Sequence, residues 1–288
     1  MISVKKDFLQ IPIKLQSIEC QNKVALTLLE KNAHKFASNY YREGSFEALK
    51  IIYHRKCAFC ETDTTVGASL RVDHFRPKVF VFGDNNHLGY YWLGYEWSNL
   101  ILICEKCNRH KSNKFPIAQD GIRVYEPVLG ETGDMVKEHQ WASATHFLNE
   151  KSLLLNPELD DVERHFIINS EGEWKSITEY GQVTENICKL NRGELRYERR
   201  SKINKLVSDI KRQLDRYINK TIDIAHFKIN LKDLFDDLLE KTLPHNTYSR
   251  TYWFMFYKFK KVILPHIEGE EAKECIQNAF VAYLENRL

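Results

Sequence analysis

Apolar residues recur at helical spacing near the N-terminus. Over residues 18–41 they fall about three or four positions apart, as expected for one buried helix face: Ala25, Leu29, Ala33, Phe36 and Tyr40. Gly44 interrupts this pattern, and Ser45 then begins a second short helix that is predicted to end near His54. The N-terminal region is therefore predicted to be helical.

The last hundred or so residues show the same kind of pattern. An apolar stripe recurs on one face of the first predicted helix: Leu195, Ile203, Leu206, Ile210, Leu214 and Tyr217. Prolines separate further predicted helices at 223–241, 247–263 and 270–286. The aromatic run at 252–259 carries too many rings for a surface and is assigned to the core.

Between these regions the pattern changes to short strands and loops. Alternation at 69–75 and an apolar run at 100–103 predict two strands, and a helix is predicted to follow from Cys107. Residues 120–182 are rich in glycine and proline, and 165–174 is predicted to form a β-hairpin with a Glu-Gly pair at its turn. The middle of the chain is thus a strand–strand–helix segment followed by an irregular extension.

Four of the seven cysteines form two C-x-x-C pairs, Cys57 with Cys60 and Cys104 with Cys107. Two such pairs supply four thiolates, which suit tetrahedral zinc. Because 43 residues separate the pairs, a metal between them would hold an inserted subdomain. Reduced free thiols are the alternative, and the odd total argues against a disulfide framework.

The runs CAFC (57–60), VDHFRPK (72–78) and WSNLILICEKCNRHKSNK (97–114) resemble the HNH, or His-Me finger, endonuclease family. In this resemblance His74 is the first His and Asn99 the middle Asn. Asn108 stands at the last metal-binding position, which is His in other members. The resemblance implies a ββα fold and hydrolysis of phosphodiester bonds.

That chemistry needs an activated water and neutralisation of the charge that develops on the phosphate. The resemblance implies that His74 takes the proton from water, because imidazole titrates near neutral pH. Asp73 and Asn108 would supply hard oxygen ligands for catalytic Mg²⁺ or Mn²⁺. Asn99 would hold the loop and the His74 ring, whose second nitrogen needs an acceptor such as a backbone carbonyl.

Basic side chains flank this constellation and are candidate contacts to a nucleic-acid backbone: Arg76, Lys78, Arg109, Lys111 and Lys114. His110 is a candidate metal ligand, a candidate phosphate contact or an exposed helix residue. A longer basic stretch at 189–220 has eleven Lys and Arg against four Asp and Glu. It is either a nucleic-acid or partner contact or a solvated helix face.

Softer motifs at 90–100, 153–166 and 187–200 resemble the PtuB-like HNH proteins of Septu-type and retron-associated anti-phage systems. This narrower resemblance implies a nuclease effector in anti-phage defence and an SMC- or ABC-like ATPase partner (PtuA-like) that controls it. Acidic and histidine side chains in the second motif are assigned to a turn and helix cap rather than to a second metal site: Asp160, Asp161 and His165.

Net charge and overall hydrophobicity say little about the functional class of the protein. The net charge is +3, which by itself says little about nucleic acid. No apolar stretch approaches the ~18 residues of a membrane span. The N-terminus lacks the pattern of a signal peptide, so a cytoplasmic location is expected.

The sequence therefore predicts an α+β fold, with a small ββα-metal HNH core stapled by a four-cysteine zinc site and embedded in helices. The predicted regions are 1–56 (helical), 57–118 (nuclease core), 119–182 (loops and short strands) and 183–288 (helical). The predicted function is cleavage of DNA, with RNA as the alternative substrate. Two other interpretations are a zinc-dependent nucleic-acid-binding module and a nuclease-fold subunit that is inert without its ATPase partner.

Overall fold

The computed structural model describes residues 1–63 and 69–288. Residues 64–68, which fall within the predicted nuclease core at 57–118, lie outside the described residues. No helix of the described ranges is both long enough and apolar enough to cross a membrane.

The chain divides into two compact units. Unit 1 consists of residues 1–165 and 176–190, and unit 2 of residues 166–175 and 191–288. Unit 1 includes the start of the predicted C-terminal helical region, because the helix at 179–188 packs on the helix that follows Cys104.

Unit 1 combines short helices with one pair of strands. In chain order the elements are α1 (Ile13–Gln16), α2 (Ile18–Glu30), α3 (Gly44–Ile52), β1 (Leu70–His74), β2 (Leu100–Cys104), α4 (Glu105–Lys111), α5 (Thr145–Leu148) and α6 (Glu179–Cys188). A π-helical turn spans Asn39–Glu43. Single 3₁₀ turns lie at Lys31–Ala33, Tyr91–Leu93, Trp97–Asn99, Lys137–Gln140 and Val162–Arg164.

Strands β1 and β2 are antiparallel and form the centre of unit 1. Leu70 pairs with Cys104 and His74 pairs with Leu100 at the two ends of the ladder. Every residue of β2 is buried, whereas in β1 Val72 and His74 are buried and the other three are partly exposed. Strand β1 therefore has one covered face, in agreement with the alternation in the sequence, whereas β2 is covered on both faces.

Helix α4 follows β2 without a loop and packs against both strands. The sequence predicted a helix from Cys107, but it begins at Glu105. Cys104 caps this earlier start, since its sulfur accepts the Cys107 N–H at 3.4 Å. A cysteine is not among the residues that usually signal a helix N-cap, so sequence rules place the boundary later.

The N-terminal helix is shorter than predicted. Helix α2 ends at Glu30 rather than near residue 41, because Lys31 has a left-handed backbone with φ of 50°. The buried side of α2 carries Cys20 and Thr27, while Leu29 is 80% exposed. The predicted stripe was therefore wrong, because Ala25, Leu29 and Ala33 are exposed and the helix does not continue past Glu30.

A buried ammonium group fastens the N-terminal segment to the start of β2. Lys6 Nζ donates to the carbonyl oxygens of Trp97 (2.8 Å) and Leu100 (2.7 Å), and it lies 2.8 Å from a carboxylate oxygen of Glu158. The hydroxyl of Tyr53 donates to the same Glu158 oxygen at 2.6 Å. Burial lowers the pKa of Lys6, and these oxygens offset the cost of desolvating its charge.

Unit 2 is helical apart from one hairpin. Its elements are β3 (Phe166–Ile168), β4 (Trp174–Ser176), α7 (Gly193–Ile218), α8 (Ile224–Lys241), α9 (Ser249–Tyr257), α10 (Phe259–Val262) and α11 (Glu270–Leu284), with a 3₁₀ turn at Leu264–His266. The predicted hairpin is present, and Gly172 at its turn has φ of 71°.

The predicted apolar face of α7 is confirmed by burial. Its buried apolar residues recur at helical spacing: Leu195, Ile203, Leu206, Val207, Ile210 and Leu214. The aromatic run also packs inward, since Phe254, Met255, Phe256 and Phe259 are buried. Within the run Tyr257 (54% exposed) and Lys258 are exposed, and Tyr252 and Trp253 are half-buried.

The loop between β1 and β2 folds back on itself at Gly89, which has φ of 82°. A Cβ atom on Gly89 would lie 2.5 Å from the nitrogen of Val79 and 2.7 Å from the carbonyl carbon of Lys78. Gly83 in the same loop has φ of 87° but nothing within 4 Å of such an atom. The two glycines share a backbone conformation and differ in crowding.

We expect Gly89→Ala to lower the free energy of unfolding by roughly 3 kcal/mol or more, because it adds a backbone clash to the cost of a positive φ. Gly83→Ala is the matched control and should cost about 1 kcal/mol, since only the positive φ applies. Urea unfolding of both variants measures the difference. Equal losses would show that the loop does not pack tightly against residues 78 and 79.

Candidate metal centre and active site

Four cysteine sulfurs meet where the two C-x-x-C pairs come together. The first pair lies in a tight turn after α3, in which Glu61 N–H donates to the Cys57 carbonyl at 3.0 Å. Cys104 ends β2 and Cys107 lies in the first turn of α4. The four sulfur atoms all lie within 4.8 Å of one another, and all four residues are buried.

This geometry could bind a metal such as zinc. Tetrahedral zinc with Zn–S bonds of about 2.3 Å places neighbouring sulfurs ~3.8 Å apart. The Cys60 and Cys104 sulfurs are 3.7 Å apart. Among the described residues, this is the one group of three or more Cys, His, Asp and Glu side chains that could hold a metal ion.

His74 ends β1 and is 4% exposed. Its Nε2 lies 2.9 Å from the carbonyl oxygen of Gly94, so this nitrogen carries the proton and donates it to the carbonyl. The Tyr41 ring packs against the imidazole with a centroid separation of 4.9 Å. The ring is therefore held in one orientation, with Nδ1 as its proton-accepting nitrogen.

The ammonium of Lys78 lies 3.1 Å from His74 Nδ1 and over the Tyr41 ring, 4.5 Å from its centroid. Burial lowers the pKa of Lys78 to about 8. Burial, and next the charge of Lys78, hold the pKa of His74 well below its usual range. His74 is therefore neutral at physiological pH, which is the state that can accept a proton.

Asp73, the predicted metal ligand on β1, is paired with a lysine. The Lys111 ammonium lies 2.8 Å from a carboxylate oxygen of Asp73 and donates to the His74 carbonyl at 2.7 Å. Lys111 ends α4 and is 1% exposed, so this contact fastens the helix to the strand. Asn108 is half-buried one turn earlier on α4.

The Asn99 side chain forms hydrogen bonds with backbone atoms on both sides of the loop between β1 and β2. Its Oδ1 accepts the Arg76 N–H at 2.8 Å, and its Nδ2 donates to the carbonyls of Arg76 (3.1 Å) and Leu93 (3.2 Å). Leu93 precedes Gly94, whose carbonyl accepts from His74. Asn99 thus joins the chain that leaves β1 to the loop that orients the His74 ring.

The five flanking cations do not share one environment. Arg76 is 3% exposed and its Nε donates to Glu150 at 2.7 Å, and Lys111 is likewise buried. Arg109 is exposed, and Lys114 and His110 are half-buried. As placed, Arg76 and Lys111 hold parts of the fold together, whereas Arg109 presents its charge to solvent.

Sequence reasoning did not find the residues that complete the His74 environment. Tyr41 precedes it by more than thirty positions, and Gly94 contributes only a carbonyl oxygen. Glu150, which pairs with Arg76, lies in the irregular extension. None of these carries a local pattern, because each contact is made between distant segments of the chain.

Comparisons with known proteins connect the chain to the Septu proteins of Bacillus mycoides (strain KBAB4). Over 173 residues it is 33% identical to the Septu protein PtuB, which covers 57% of this chain and 53% of that protein. Over 165 residues it is 29% identical to the Septu protein PtuA, which covers 55% of this chain and 21% of that protein. The chain thus spans about half of the first relative and about a fifth of the second.

The similarity to PtuB agrees with the motifs outside the predicted core. The similarity to PtuA was not expected, since the motifs indicated a PtuA-like protein only as a partner. No protein-family model matches the chain, so the HNH assignment stays a prediction.

We expect the purified protein to contain one zinc ion per chain and to lose it when Cys107 is replaced by alanine. Cys20→Ala is the matched control, because Cys20 is equally buried but lies outside the cluster. Elemental analysis measures the metal, and thermal unfolding should show a large loss of stability for Cys107→Ala alone, since binding of structural zinc contributes to folding. Stable, zinc-free parent protein would contradict the assignment.

Asn99→Ala should lower the free energy of unfolding by about 2 kcal/mol or more, because it leaves buried backbone groups of Arg76 and Leu93 without partners. Asn108→Ala should change it by less than about 1 kcal/mol, since Asn108 is only half-buried. Chemical denaturation of the two variants separates a positioning residue from a candidate ligand. Equal stabilities would contradict the role given to Asn99.

Proposed function

We propose that the chain is a metal-dependent endonuclease that hydrolyses phosphodiester bonds of DNA as part of an anti-phage defence system. The observation that carries the proposal is the buried imidazole of His74, which the Gly94 carbonyl orients and which follows Asp73 directly on β1. The similarity to Septu proteins supports the defence role. The resemblance of the strand–strand–helix segment to HNH nucleases supports the reaction.

Asp73 and Asn108 offer donor types that suit a hard divalent cation. A carboxylate and an amide oxygen, from Asp73 and Asn108, are the ligand types that Mg²⁺ accepts while it keeps several waters. When bound there, Mg²⁺ or Mn²⁺ would supply positive charge to the scissile phosphate and its leaving oxygen. Asp73 would exchange its contact with Lys111 for this ion, and Lys111 would remain near as a second positive charge.

The protein residues would carry out the proton transfer. His74 Nδ1 would accept a proton from the attacking water, while the Nε2–H bond to Gly94 keeps the ring from turning. The attack needs this water to replace the Lys78 ammonium at Nδ1. Lys78, once displaced, and the exposed Arg109 would contact phosphates of the same strand.

The contacts of these two lysines also favour a second candidate, a nuclease that is inactive until a partner acts on it. Lys78 covers the base nitrogen of His74 and Lys111 covers the carboxylate of Asp73. A change that withdraws Lys78 would expose both the base and the water site. A PtuA-like ATPase is the partner we propose for this step, on the similarity to the Septu proteins.

Incubation of supercoiled plasmid with the full chain and Mg²⁺ or Mn²⁺ tests the proposal. We expect nicked or linear product, and a loss of rate of about a hundredfold or more for His74→Ala, since general base catalysis contributes on this scale. His165→Ala is the matched control, because His165 is half-buried in unit 1 and contacts Thr178 rather than the site.

Equal cutting by the His74→Ala variant would overturn the role of His74. If the chain alone does not cut, the same reaction with the ATPase partner and ATP tests the second candidate. Cutting that appears only with the partner would support it, and no cutting in either reaction would favour a binding module without catalysis.

A further inference from the structure

A cleft in unit 2 lies along the C-terminal half of α7, far along the chain from His74. It has a volume of 580 Å³ and is lined mainly by polar and charged side chains. The cations in the lining are Lys211, Arg212 and Arg216, and Asp215 is the one acidic residue among the described lining residues. Thr221 and His266 complete the lining after α7 ends.

The cationic groups of the cleft are only weakly engaged. Lys211 lies 3.0 Å from Glu268, whose side chain is 93% exposed, and Arg212 lies 3.0 Å from Asp209. Arg216 has no carboxylate within ion-pair distance among the described residues and donates to the Gln213 side chain at 3.3 Å. The exposed pair of Lys211 with Glu268 contributes little, so a bound anion can displace Glu268. The Asp209 side chain is 17% exposed, whereas that of Arg212 is 64% exposed and open to an anion.

Uncharged hydrogen-bonding groups line the same cleft. Asn204, Ser208, Asn219 and Thr221 supply amides and hydroxyls. His266 Nε2 is buried and has no hydrogen-bond partner among the described residues. A buried polar atom without a partner destabilises the protein, and a ligand that reaches it removes this cost.

We propose that the cleft binds the phosphate backbone of a nucleic acid through residues that are not part of the His74 site. Arginine, lysine, hydroxyl and amide groups are the usual contacts to phosphate oxygens. The described lining offers no Phe, Tyr or Trp ring on which a free nucleotide base would stack. The inference rests on the proposed function only for the choice of nucleic acid as the polyanion, because no residue of the cleft takes part in the proposed cleavage.

The test is binding of a fluorescein-labelled duplex oligonucleotide to the full chain, measured by fluorescence anisotropy. The chain carries His74→Ala and no divalent cation is added, so cleavage does not enter the measurement. The test variant is Arg212→Glu with Arg216→Glu. The matched control is Lys205→Glu with Lys228→Glu, which changes the charge of unit 2 equally at exposed positions outside the cleft.

We expect the test variant to weaken binding by about tenfold or more and to reduce the slope of log Kd against log salt by about two, as for the loss of two phosphate contacts. The control should stay within about twofold of the parent. Unchanged thermal unfolding of the two double variants shows that binding, not folding, is measured.

Equal weakening by both double variants would overturn the cleft as a specific anchor. A labelled nucleoside triphosphate provides a second probe. If the test variant loses binding of the nucleotide but retains binding of the oligonucleotide, the cleft is a nucleotide site and the inference is overturned. A chain that binds through the cleft but never cuts plasmid would leave the inference standing while the proposed nuclease activity fails.

Discussion

The mutual contact of four buried cysteine sulfurs is the constraint on which the arrangement of unit 1 depends. It joins the turn after α3, the last residue of β2 and the first turn of α4 at one point. The 43-residue segment between the two pairs is held at both ends by this cluster, and it contains Asp73, His74 and Asn99. Ordering a loop of this size costs chain entropy, which a metal bound by the four thiolates would offset.

Buried hydrogen bonds and ion pairs further fix the conformation of the segment between the two cysteine pairs. Asn99 links the chain after β1 to the carbonyl of Leu93, which precedes Gly94. Arg76 donates a hydrogen bond to Glu150 in the irregular extension. Lys111 fastens α4 to β1. Each of these groups would be costly to bury without its partner, so together they select one arrangement of the loop. The Gly94 carbonyl, which accepts from the His74 ring, is thus positioned with the help of contacts that His74 itself does not make.

Much of this arrangement was predictable from local pattern. The C-x-x-C pairs, the alternation of β1, the apolar run of β2 and the stripe of α7 each report their own surroundings. The end of α2 at Glu30, the lysines on His74 and Asp73, and the burial of Arg76 were not predictable. They depend on contacts between segments far apart in sequence. A basic residue in the sequence can also either contact a phosphate or form a buried ion pair within the protein.

In the proposed function, Asp73 and Asn108 bring a divalent cation to a phosphate beside His74. Anomalous diffraction from crystals of the His74→Ala variant with Mn²⁺ and a duplex oligonucleotide tests it most directly. The account predicts a manganese peak within bonding distance of oxygens of Asp73, Asn108 and one phosphate, with the Lys111 ammonium moved from the carboxylate. A manganese peak elsewhere, with Lys111 still on Asp73, would contradict it.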